Sequence, residues 1–140
     1  MDYDQTLEFL FKQLPMYQRE GKSAFKKDLT NTLELCRVLD NPHRKFKSIH
    51  IAGTNGKGSS AHMLASIFQE AGYKTGLYTS PHLKDFRERV RINGEVISKK
   101  SVIDFVREYS EKFSHIQPSF FEWTVSLAFH SFANEKVDVA

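Results

Sequence analysis

The chain has 140 residues, 40% hydrophobic and 26% charged, with a formal net charge of +3. That balance belongs to globular chains, no apolar run reaches membrane-span length, and so mild a charge permits an anionic ligand without calling for nucleic acid. Cys36 is the only cysteine, which excludes an intramolecular disulfide and fits a reducing cytosol, and the apolar run from Leu7 to Phe11 is too short for a signal-peptide core.

Leu7, Leu10, Phe11 and Leu14 recur at i, i+3, i+4 and i+7, which predicts a docking helix over 4–14 ending at Pro15. Residues 15–27 are polar and basic with Gly21 as a breaker and are expected to form a loop. A second helix is expected from about Asp28 to Leu39, burying Leu29, Leu33 and Cys36 and stopped by Asn41-Pro42. Cys36 reads as a small core residue, since nothing nearby would lower its pKa. Between Lys12 and Lys47 there are nine basic and four acidic residues, but aromatics are not interleaved as in a base-stacking platform.

The stretch from Ile49 to Ser60 organises the chain. A strand at 48–52 is expected to deliver the backbone to Gly53-Thr54-Asn55-Gly56-Lys57-Gly58-Ser59, with a helix from about Lys57 to Ala71 beyond it. Glycines let backbone N–H groups converge, the helix N-terminus adds positive potential, and Lys57 supplies a mobile cation, so the loop suits nucleotide phosphates. The full P-loop pattern would place glycine where Ile51 stands and a hydroxyl where Gly58 stands. A tight strand-to-helix turn that happens to hold a lysine is the plainer alternative. Ala61, Leu64, Ala65 and Phe68, widened by Met63, Ile67 and Ala71, predict a helix largely buried on a sheet and closed by Gly72. His62 has no second ligand at metal spacing and reads as structural.

A second strand at Lys74–Tyr78 would complete a strand–loop–helix–strand unit with a parallel pair. The loop after it, Thr79-Ser80-Pro81-His82-Leu83, then lies at the carboxyl edge where ligands gather, on the side of the phosphate loop. Arg89 to Ile97 predicts a hairpin turning at Asn93-Gly94, whose arginines are read equally as an exposed edge or as substrate contacts. A helix over Lys99–Phe113 is expected to bury Val102, Phe105, Val106 and Tyr109. Ser119 with Glu122 fits a capping box opening a deeply buried helix, Phe121–Asn134. Glu122 is either that cap or a carboxylate aimed into a site. Val137-Asp138-Val139-Ala140 begins a further strand.

Taken together, the 50–59 loop, Leu77-Tyr78-Thr79-Ser80-Pro81-His82-Leu83 and Glu88-Arg89-Val90-Arg91-Ile92-Asn93-Gly94 resemble the folylpolyglutamate synthase/dihydrofolate synthase family of the Mur ligase superfamily. Leu39-Asp40-Asn41-Pro42, Phe120-Phe121-Glu122 and Lys136 to Ala140 support it in the same order. The resemblance implies an α/β, P-loop-type three-layer fold with a mainly parallel sheet. It also implies that 1–140 is the N-terminal part of the ATP-binding domain, incompetent alone and lacking the strand-end glutamate that helps hold Mg²⁺. The implied reaction is ATP-dependent addition of L-glutamate to a folate or dihydropteroate carboxylate through an acyl phosphate. By motif match, Gly53 to Ser59 would cradle ATP and Lys57 would offset charge on the transferred phosphoryl group. Ser80 would be a metal ligand, while His82, Arg89 and, more weakly, Glu122 would face the folate. The implied enzyme is cytoplasmic, monomeric, and free of nucleic-acid or membrane partners. A peptidoglycan-precursor ligase and a non-catalytic nucleotide-binding module are the alternatives; the first usually carries a hydroxyl residue where Gly58 stands.

Overall fold

The computed structural model describes residues 1–13 and 28–140. The sequence expectations for Leu14, Pro15, Gly21 and the 15–27 loop lie outside those residues. Helix α1 (Tyr3–Lys12) opens with a capping box, Gln5 N donating to Asp2 Oδ1 at 2.9 Å and Asp2 N donating to Gln5 Oε1 at 3.0 Å. It buries Thr6 and Leu10, and Phe9 meets Trp123 edge-on at 5.5 Å.

Helix α2 (Thr30–Val38) buries Cys36 as expected but not the leucines expected beside it. Leu29 and Leu33 are 67% and 59% exposed, while Leu35, Cys36 and Leu39 enter the core. Both leucine pairs are spaced i, i+4, so either could be the inner stripe, and packing against the last helix selects Leu35 and Leu39. Asp40 and Asn41 then take positive φ, and a short 3₁₀ turn follows at Pro42–Arg44.

The expected strand at 48–52 is instead a segment without a continuous ladder. Val139 bridges in parallel to both Lys47 and Thr75, which places 138–140 between the two segments expected to pair with each other. Ile49 N donates to Ala140 O and Gly76 N to Val139 O, each at 2.9 Å. Ile49 is 49% exposed. The named strands form an antiparallel sheet in the order β1 (Gly76–Tyr78), β2 (Val90–Ile92), β3 (Glu95–Val96). The fold is α/β, with its parallel part carried by the bridges at Val139. The hairpin turns where expected, Asn93 and Gly94 having φ of 48° and 80°, the two positive values of a type I′ turn.

Helix α3 (Lys57–Glu70) has no fully buried residue, against the expectation of a helix largely buried on a sheet. Ala61, Leu64, Ala65 and Phe68 are half-buried, whereas Met63 and Ile67 are 59% and 64% exposed. At 1.5 Å per residue the helix runs about 21 Å, while β1 beneath it, with three residues, spans about 10 Å. The predicted stripe faces the sheet, but the sheet is too short to cover it.

Helix α4 (Lys99–Tyr109) buries Val102, Phe105, Val106 and Tyr109 as expected, and ends before a turn rather than running on to Phe113. Helix α5 (Phe120–Asn134) is the centre of the core, with Trp123, Leu127, Ala128 and Phe132 inside. It is not apolar-buried all round, because Phe121 is exposed. Among the described residues no helix is long and apolar enough to cross a membrane.

Candidate functional site

The glycine-rich loop Gly53–Ser59 follows the 47–52 segment and runs into α3. Gly56 is the N-cap of α3 with φ 73°, a left-handed conformation that L side chains adopt at a cost, which explains glycine there. A glycine cap has no side chain to accept from the first turn, so those amides are left to an external acceptor. Lys57 Nζ donates to Gly53 O at 2.6 Å and folds over the loop. Gly53, Thr54, Asn55, Gly56, Lys57, Gly58 and Ser59 are all exposed. Gly58 has open space around its would-be Cβ, so sterics alone do not demand glycine at that position.

The second cluster follows β1. Arg89 is only 6% exposed, so it is not an open edge-strand arginine. Its Nε donates to His82 Nδ1 at 2.8 Å, its Nη1 donates to Ser80 Oγ at 2.9 Å, and its guanidinium lies 5.0 Å over the Phe120 ring. Because Nδ1 accepts, neutral His82 carries its proton on Nε2. Burial, then the Arg89 charge, pushes the His82 pKa below the ordinary histidine value. Phe11, His82, Phe86 and Phe120 meet ring to ring around this cluster. The Ser80–Pro81 peptide is cis.

Ser80, His82 and Arg89 are therefore brought together. Among the described residues no hydrogen bond or ion pair joins them to the Lys57 loop, although each group follows a segment that runs parallel to Val139 and so leaves the sheet at one edge. Glu122 sits elsewhere: its Oε2 accepts from Ser119 N at 2.7 Å and from Asn31 Nδ2 at 3.3 Å, closing the capping box of α5 and tying it to α2. These residues do not form a metal site by themselves. Ser80 offers one neutral oxygen already facing a guanidinium, and among the described residues no three His, Cys, Asp or Glu side chains converge.

Glu88 was not singled out from sequence. Its carboxylate accepts from three successive amides, Leu83, Lys84 and Asp85, at 2.9, 3.0 and 2.8 Å, which holds its pKa down at about 2. The Asp85-x-x-Glu88 spacing is a capping box that a search for such pairs would have found. Asp85 itself pairs with Arg87 at 2.7 Å.

No family model matches the chain. A probable bifunctional folylpolyglutamate synthase/dihydropteroate synthase of Haloferax volcanii is 36% identical over 145 residues, covering 100% of this chain and 16% of that protein. The folylpolyglutamate synthase of Mycobacterium tuberculosis, solved with ADP, matches with a TM-score of 0.88 at 33% identity, over 99% of this chain and 31% of that one. A folylpolyglutamate synthase complex with AMPPCP and folate matches with a TM-score of 0.85 at 34% identity, over 100% of this chain and 34% of that one. This chain thus spans between 16% and 34% of the length of these relatives. With 33–36% identity over 99–100% of its length, the chain belongs to the folylpolyglutamate synthase family.

Proposed function

We propose that residues 1–140 are the N-terminal part of the ATP-binding domain of a cytoplasmic ligase that adds L-glutamate to a folate or dihydropteroate carboxylate. The observation that carries this reading is the pair of loops at one sheet edge: a glycine-capped helix start with Lys57 folded over it, and the Ser80–His82–Arg89 cluster with its aromatic wall. A free carboxylate is a poor electrophile. Transfer of the γ-phosphoryl group of ATP makes it an acyl phosphate, which the glutamate amine attacks, forming the amide and releasing phosphate. Catalysis of such a transfer is mainly positioning and charge stabilisation.

In this scheme the amides of Gly56 to Ser59 and the α3 N-terminus bind the phosphates. Lys57 leaves the Gly53 carbonyl for the transferred group, a small change because that bond is exposed. Arg89 and the Nε2–H of His82 bind the acidic or carbonyl oxygens of the folate. Ser80 is held by Arg89 Nη1, and Glu122 caps α5 without taking part in binding. Mg²⁺ belongs to the proposal as the companion of the nucleotide; these residues do not form its site, and no step is assigned to it.

The test is binding by the 140-residue chain. Wild-type protein should bind AMPPCP, and Lys57→Ala should weaken that binding by at least about tenfold with an unchanged melting temperature. A wild-type chain that ignores AMPPCP, or a Lys57→Ala variant that binds it equally well, would sink the reading.

A further inference from the structure

The loop from Thr79 to Asp85 is fastened almost residue by residue to two neighbours, Glu88 and Arg89. Thr79 N donates to Arg89 O at 3.1 Å and Thr79 Oγ1 to Glu88 O at 3.3 Å. Ser80 and His82 receive the Arg89 guanidinium, and Leu83, Lys84 and Asp85 give their amides to the Glu88 carboxylate. Only Pro81, which has no N–H, is left out.

We propose that Glu88 is a positioning residue of the substrate-binding cluster: it clamps the 83–85 backbone so that Ser80 and His82 stand against Arg89. Three successive N–H groups converging on one point form an anion nest. Here the anion is internal, which marks this nest as a clamp and not a ligand pocket. The carboxylate is the side chain suited to the position, since both its oxygens only accept and three donors must be met. Glutamine would offer one accepting oxygen and turn an N–H₂ group toward amides that also donate. The clamp acts on the loop's C-terminal half while Arg89 acts on its N-terminal half, so losing Glu88 frees His82 from one side. The phosphate loop makes no hydrogen bond to either residue and should be indifferent to the change.

The ligand-binding arm of this inference rests on the proposed folate-ligase reading; the spectroscopic arm does not. The experiment compares the ¹⁵N-labelled 140-residue chain with Glu88→Gln and with Glu88→Asp, which keeps the charge but loses reach. In wild type the His82 ring should show Nε2 protonated and Nδ1 accepting, and the amides of Leu83, Lys84 and Asp85 should be protected from exchange. Both variants should shift the His82 ring signals and speed exchange at those three amides by at least about tenfold, while the Gly53–Ser59 signals stay in place. Folate affinity should fall on the order of tenfold, with AMPPCP affinity unchanged. Unmoved His82 ring signals in either folded variant, or equal losses of folate and AMPPCP affinity, would overturn the inference. A wild-type chain that binds neither ligand would refute the ligase reading and leave the His82 ring to decide the role of Glu88.

Discussion

Gly76→Ala probes how closely β1 lies on α5. A Cβ built on Gly76 falls 2.6 Å from Cδ1 and 2.7 Å from Cε1 of Phe132, against an ordinary carbon–carbon separation of about 3.5–4.0 Å. The ring would have to retreat by about 1 Å to restore contact distance. It has little room, being 2% exposed and set edge-on against Phe46 at 5.6 Å. Gly76 is equally constrained, because its N–H donates to Val139 O at 2.9 Å within the bridge that orders the sheet. Overpacking of this kind costs about 2 kcal/mol, which lowers the melting temperature of a chain this size by about 6 °C. Urea unfolding followed through Trp123, the only tryptophan, measures it directly. The mechanism makes a second demand: in a Phe132→Leu background the same substitution should cost less than about 0.5 kcal/mol, since the two sites share one contact. Equal costs in both backgrounds, or a Gly76→Ala variant as stable as wild type, would refute the steric account.

Acid titration should expose the Asp85–Arg87 pair. Hydrogen bonding to Arg87 holds the Asp85 carboxyl at about 2 in the folded chain, below its unfolded value of about 3.9, so its stabilisation is present above that value and is lost as pH falls toward 2. Asp85→Asn should therefore flatten the loss of stability between about pH 4 and about pH 2, read from unfolding midpoints; an unchanged slope would show that the pair contributes nothing. At the start of α5, Ser119→Ala should cost about 1 kcal/mol through loss of the cap. Glu122→Gln should lower stability in the same direction while leaving folate affinity unchanged; the reverse pattern would move Glu122 from the cap into the site.

Short-range chemistry carried much of this fold in readable form. The Asn93-Gly94 turn, the Ser119/Glu122 cap, the Val102–Phe105–Val106–Tyr109 stripe and the glycine-rich start of α3 each depend on residues within a few positions of one another, because turns and helical rings close locally. The two clusters proposed to form the site were legible for the same reason, as loops following extended segments. What tertiary structure alone decided is of another kind. Two stripes on α2 were equally helical, and only α5 chose Leu35 and Leu39. Val139, far along the chain, came to lie between Lys47 and Thr75 and displaced a pairing that looked natural in sequence. The burial of Arg89 against Phe120 depends on where two distant segments meet in space, which no local period encodes.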